Sequence, residues 1–356
     1  MIPMSVIETH ALTRSYRVYH KPEGFGAAFR GLFHRRYETV EAVRGLSLTI
    51  ECGELVAFLG PNGAGKTTTL KMLSGIIPPT SGNATVLGYV PWQRHHEFRR
   101  RFALVMGQKN QLWWDLPAIE SFQLFRHIYR IESPRFERNR DQLAEMLGVT
   151  RLLERPVREL SLGERMRLEL IAALLHDPEV LFLDEPTIGL DVVAQETVRR
   201  FLREYQTLRQ TTILLTSHYM KDIRDLCERV VIIQFGNIIY DGSQRGLIER
   251  FGDHRIVTFR TAEDVPGTVG NTGENQDDAT KNPDFTLPVP GVVRLPAATP
   301  WIRLRVPATK ARDVLARLMQ QYFVEDIRIE DPPLESILTE LFTGNTEQLT
   351  GDIPNT

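Results

Sequence analysis

The chain has 356 residues, 42% hydrophobic and 25% charged, with a formal net charge of −2. At about 150 residues per domain this length suggests two domains with their own cores, and the near-neutral balance gives no basic field of the kind nucleic acid selects. Two cysteines far apart, Cys52 and Cys227, argue against a disulfide framework or zinc site and for buried, reduced thiols.

The first expected strand is Ser5 to Ala11. Beyond it Tyr16, and less strongly Tyr19, could stack on a nucleotide base or pack on the surface. In the segment 20–38, Phe25, Phe29, Leu32 and Phe33 recur at helical spacing among Arg30, His34, Arg35 and Arg36. Such a basic amphipathic insertion fits an anionic membrane surface, a membrane partner, or a short helix packed on its own domain. Val40 to Ile50 resumes strand character.

Glu54 to Gly75 reads as strand (Leu55 to Leu59), glycine-rich turn, then a helix opening near Gly65 and Lys66. Gly60-Pro61-Asn62-Gly63-Ala64-Gly65-Lys66-Thr67 matches the phosphate-binding pattern in spacing and context. Its backbone N–H groups would cradle phosphates, Lys66 would neutralise their charge, and the Thr67 hydroxyl would ligate Mg²⁺.

After the turn at 78–82 a strand is expected to about Val90. A basic helical segment with Arg94, Arg99, Arg100 and Arg101 follows, then the strand Phe102 to Met106, ending at Gly107-Gln108. The region from Lys109 to about His176 is helical, clearest over Ile119 to Ile131, Arg135 to Leu147 and Arg165 to Leu175. Trp113 and Trp114 share a short loop, so at least one should be exposed or held by a partner.

Glu179 to Leu183 is an apolar strand finishing in Asp184-Glu185, two carboxylates where open α/β sheets bind ligands. Asp184 would hold Mg²⁺, and Glu185 would orient or deprotonate an attacking water. The helix Gln195 to Leu208 leads to the strand Thr212 to Thr216 and Ser217-His218, which makes His218 a candidate γ-phosphate sensor. A hairpin (Val230 to Phe235, Ile238 to Asp241) and a helix near Ser243 to Phe251 close the first domain at about 253.

The second unit, 254–343, begins with the strand Ile256 to Arg260. Residues 264–298 read as a mobile loop or linker. Then come the strand Ile302 to Val306, the helix Lys310 to Tyr322 with Val314, Leu315, Leu318 and Met319 on one side, the strand Val324 to Ile329 and the helix Leu334 to Phe342. No catalytic constellation is visible in this small α+β unit, which points to regulation or dimerisation. The tail 344–356 reads as disordered. With no spanning apolar run and no signal-peptide core, a cytoplasmic chain is expected.

Taken together, these motifs resemble the ATP-binding subunit of ABC transporters over about residues 4–251. Gly60 to Thr68 looks like Walker A, and Val180 to Asp184 with Glu185 like Walker B and the catalytic glutamate. Gln108 matches the glutamine that contacts Mg²⁺ and couples to the membrane partner. Leu160-Ser161-Leu162-Gly163-Glu164 resembles the signature loop, Gly189-Leu190-Asp191 the D-loop, His218 the switch histidine and Tyr16 the base-stacking aromatic. Leu162 and Glu164 replace the usual Gly and Gln of the signature, which weakens the case for a strong phosphate site there. The run from Gly107 to Pro117 resembles the export-type branch with separate permease subunits.

The resemblance implies a P-loop α/β ATPase core with a helical subdomain, ATP and Mg²⁺ as ligands, and a head-to-tail dimer of this chain or a paired ATPase. Integral membrane permease subunits would dock near Gln108, Trp113 and Trp114, at the cytoplasmic face. The rival expectations are a soluble ABC ATPase of translation or DNA repair and an ATP-binding regulator with weak turnover.

Overall fold

Three runs, Leu55–Leu59, Val180–Asp184 and Thr212–Thr216, are apolar almost throughout and therefore need cover on both faces. In the computed structural model they lie at the centre of a six-stranded sheet. The structure describes residues 5–19, 37–107, 109–217, 219–261, 289–297 and 301–343. Residues 20–36 of the insertion, Gln108, His218, residues 264–288 and 298 of the stretch read as linker, and the tail at 344–356 lie outside the described residues.

The first unit, Met1–Gln244, begins with β1 (Ser5–Tyr19), β2 (Tyr37–Glu51), β3 (Leu55–Leu59), α1 (Lys66–Leu73) and β4 (Ser81–Val86). It continues through α2 (His96–Arg99), β5 (Phe102–Met106), α3 (Ala118–Tyr129), α4 (Ser133–Met146) and α5 (Leu162–Leu174). Then follow β6 (Val180–Asp184), α6 (Val192–Arg209), β7 (Thr212–Thr216), α7 (Met220–Leu226), β8 (Arg229–Gln234) and β9 (Asn237–Ser243). The large sheet has the order β5-β6-β7-β3-β8-β9 and is parallel except for the β8–β9 hairpin.

A second, antiparallel sheet has the order β2-β1-β4. Leu70, Met72 and Leu73 of α1 share a core with Ile7, Leu12 and Val43 of this sheet and with Phe58, Phe182 and Leu214 of the parallel one. Burying each such side chain contributes about 1.5–3 kcal/mol. The helix that opens at the phosphate loop is thereby clamped between two sheets.

Several boundaries move for local reasons. β1 continues to Tyr19 instead of ending near Ala11, because Ala11 adopts φ 46 in a bulge and the ladder with β2 resumes beyond it. β4 stops at Val86, four residues early, where Leu87 (φ 54) and Gly88 (φ 77) turn the chain. α5 starts at Leu162, not Arg165, because Ser161 caps it. Cys227 is buried as expected, but Cys52 is exposed in the turn after β2.

The second unit, Arg245–Thr356, begins inside α8 (Gln244–Phe251), so this helix falls in the second unit and does not close the first. It contains β10 (His254–Thr261), β11 (Val293–Leu295), β12 (Ile302–Pro307), α9 (Ala311–Gln321), β13 (Val324–Glu330) and α10 (Leu334–Thr343). Its antiparallel sheet runs β11-β12-β10-β13, so a short strand falls within the stretch read as linker. Val257, Phe259, Ile302, Leu304 and Val306 pack with Val314 and Leu318 of α9. Met319 does not join them; it is 63% exposed. Asp253, His254 and Glu340 converge, and Arg305, bonded to Glu340, supplies the counter-charge.

Candidate active site

The turn between β3 and α1 can approach its neighbours only because Gly60 and Gly65 carry no side chain. A Cβ on Gly60 would sit 2.2 Å from the Ile233 carbonyl oxygen, and one on Gly65, at φ +110, 2.4 Å from that of Ala42. Asn62 and Gly63 are exposed at the tip, while Ala64 and Lys66 are buried and Thr67 and Thr68 half-buried at the helix start. The Lys66 Nζ donates to the Gly60 carbonyl at 2.6 Å and the Pro61 carbonyl at 3.1 Å. Burial pulls its pKa below the ordinary lysine value, while Glu185 and Asp184 oppose that shift.

β6 delivers the two carboxylates beside this turn. The Thr67 hydroxyl lies 2.8 and 3.0 Å from the two Asp184 carboxylate oxygens, and the Thr216 hydroxyl donates to Asp184 at 2.8 Å. Thr216, the last residue of β7, also accepts from the Glu185 N–H, through its carbonyl at 3.1 Å and its hydroxyl at 3.0 Å. Glu185 adopts φ 54, a conformation that non-glycine residues hold only when their surroundings enforce it. Gly107 is part of that enforcement: its N–H donates to the Asp184 carbonyl at 2.8 Å, and a Cβ there would lie 2.2 Å from the Glu185 oxygen.

A second cluster forms at the start of α5. Ser161 is the N-cap: its hydroxyl accepts from the Glu164 N–H at 3.3 Å, and the Glu164 carboxylate accepts from the Ser161 N–H at 2.9 Å. That bond, with Arg167 and Arg155 nearby, holds the Glu164 carboxyl below the ordinary carboxylate range. Asp191 caps α6 by accepting from the Ala194 N–H at 2.8 Å. A Cβ on Gly163 would meet the Ala194 Cβ at 2.7 Å, so α5 and α6 touch there through glycine alone. Gly163→Ala is expected to force them apart and lower stability by about 1–3 kcal/mol, read as a fall in the melting temperature.

The structure thus brings Gly60–Thr67 together with Asp184 and Glu185, and separately Ser161 and Gly163 with Asp191. Tyr16 sits on β1 opposite Val40, with the Arg14 guanidinium 4.8 Å from its ring centroid. Trp113 and Trp114 are both about half exposed, 49% and 48%, and the Arg165 guanidinium lies 5.1 Å from the Trp114 ring centroid.

Two supports escaped the sequence reading. One is Thr216, whose only signal was its place at a strand end. The other is a buried network: Arg199 of α6 donates to Asp222 of α7 at 2.8 Å, and Asp222 accepts from Ser217 at 2.7 Å and from Thr187. It fastens the segment after Glu185 to the residue just before His218.

A parallel sheet with a phosphate loop, paired carboxylates at a strand end and a helical insertion defines a P-loop nucleotide hydrolase. The family model described as ABC transporter matches residues 43–188. The chain is 35% identical over 217 residues to the ABC transporter ATP-binding protein NatA of Bacillus subtilis (strain 168), covering 61% of this chain and 88% of that one. It is 30% identical over 321 residues to the daunorubicin resistance ATP-binding protein DrrA3 of Streptomyces coeruleorubidus, covering 88% and 95%. It is 37% identical over 215 residues to the Nod factor export ATP-binding protein I of Burkholderia lata, covering 60% and 70%. A dimeric ATP-binding cassette in a post-hydrolysis state with ADP and Pi has the same fold, with TM-score 0.56 at 22% identity over 67% of this chain and 99% of that one. This chain belongs to the ATP-binding proteins of ABC transporters, a family of ATPases. No helix among its described residues is long and apolar enough to cross a membrane.

Proposed function

We propose that this chain is the ATP-hydrolysing subunit of an exporter and drives separate integral membrane permease subunits from the cytoplasmic face. The observation that carries the reading is the meeting of Lys66 and Thr67 with Asp184 and Glu185, in a chain whose relatives include proteins named for export and resistance.

The Thr67 hydroxyl and the Asp184 carboxylate, 2.8 Å apart, are oxygen donors of the kind Mg²⁺ takes, and with Gln108 they would hold it. Held there, Mg²⁺ would supply positive charge against the phosphates of the nucleotide. Lys66 exchanges its two carbonyl partners for phosphate oxygens, and Glu185 accepts a proton from the attacking water while His218 contacts the γ-phosphate. Tyr16 stacks on the base, with Arg14 behind it.

Two copies pair head to tail, so that Ser161 and Gly163 of one meet the γ-phosphate held by the other. Apolar side chains beside that loop support such pairing: Val192 is 72% exposed, Val193 76% and Leu162 37%. Glu164 works against it, since a carboxylate at the start of α5 opposes an incoming phosphate.

Trp113 and Trp114 form the permease-docking surface. The tagged chain, solubilised from its native membranes in mild detergent, is expected to co-purify with a polytopic protein in fixed stoichiometry. Trp113→Ala with Trp114→Ala should remove that partner without unfolding the chain. Recovery of soluble or ribosomal proteins alone would end the transport reading.

A further inference from the structure

One buried acid has no part in the chemistry above. Glu169 lies on α5 six residues beyond Gly163, about 9 Å along the helix at 1.5 Å per residue. It is 2% exposed, and among the described residues it forms no ion pair within salt-bridge distance. Its partners are instead backbone amides of the tryptophan loop. The Gln111 N–H donates to its two oxygens at 2.9 and 3.0 Å, and the Leu112 N–H at 3.2 Å.

A buried carboxylate is costly in solvation unless hydrogen bonds to it are good. Here these bonds all go to one segment, and that segment carries Trp113 and Trp114. The same loop is gripped elsewhere: Leu112 is buried, the Trp113 N–H donates to the Ser121 hydroxyl at 3.0 Å, and Arg165, also on α5, covers Trp114. At its N-terminal end α5 abuts Gly189 through Leu162 and Ala194 through Gly163. One helix therefore touches both the proposed pairing surface and the proposed docking surface, and a helix transmits displacement along its axis with little loss.

We propose that Glu169 is a positioning residue that locks the Trp113–Trp114 loop to α5, so that the loop moves with the helix when two copies close on ATP. This rests on the reading that ATP-bound copies pair through Ser161 and Gly163. Its consequence is that pairing is felt by the permease through Glu169, and not only through the glutamine segment.

The test is hydrogen exchange of the full chain carrying Glu185→Gln, which retains ATP, with and without MgATP. Light scattering reads pairing in the same samples. With Glu169 present, ATP is expected to slow exchange across 109–117 by about fivefold or more; with Glu169→Leu added, which removes both acceptor oxygens, pairing should persist and the slowing shrink to less than about twofold. Gln111→Pro, which deletes one donor from the loop side and leaves α5 untouched, should reproduce the loss if the first variant folds poorly. An ATP response equal in all three chains, or absent from all while pairing occurs, overturns the proposal. Absence of pairing even with Glu169 intact overturns the head-to-tail reading itself, and the coupling falls with it; light scattering identifies that case.

Discussion

Glu185→Gln is expected to lower ATP turnover of the purified chain by about 10²–10⁴-fold, the usual contribution of a positioned general base. The amide keeps the size of the side chain and leaves the backbone bonds to Thr216 in place. Because Lys66 and the loop N–H groups are untouched, nucleotide affinity should hold, and the ATP-bound pair should accumulate. Phosphate release measures the first effect, and calorimetric titration with ATP the second. Turnover within a few-fold of the parent would mean that the proton goes elsewhere.

Asp222→Ala is expected to destabilise the first unit strongly. Arg199 is 1% exposed and Asp222 fully buried, so the variant takes away the guanidinium's one buried acidic partner, leaving it the more exposed Glu196 and Asp225, and also removes the acceptor of Ser217 and Thr187. Breaking such a buried pair costs about 3–5 kcal/mol, and at roughly 2–4 °C per kcal/mol the melting point should fall by about 10 °C. Replacing both partners by apolar residues, Asp222→Leu with Arg199→Met, should recover much of that loss. Activity should not return with it, because Ser217 then loses the buried carboxylate that fastens the segment before His218 to α7. If the double variant were both stable and fully active, the network would be a packing device only.

The contrast between these two residues shows what the sequence discloses. Glu185 was legible because its chemistry is local: a strand end, an adjacent Asp184 and an upstream phosphate loop fix its neighbourhood from spacing alone. The phosphate loop was legible for the same reason, since Gly60 and Gly65 mark backbone contacts that no other residue permits. Asp222 and Glu169 were not. Neither acid discloses its partner by pattern: that partner is 23 residues away in one case and 57–58 in the other, and only the fold brings it alongside. The strand boundaries failed differently. At Ala11 a bulge breaks the period-two pattern, and the eight residues beyond it, though part of the same strand, no longer announce themselves. Met319 obeys helical spacing yet projects into solvent, because the core of the second unit closes at Leu318.

The two cysteines differ in what an electrophile would find. Cys227 is buried, and burial pushes its thiol well above the ordinary range, so the reactive thiolate is scarce and shielded. Cys52 stands exposed in the turn between β2 and β3. With only these two cysteines in the chain, a maleimide dye should attach at one place without any engineered residue. Mixed donor- and acceptor-labelled copies would then report their own approach through energy transfer.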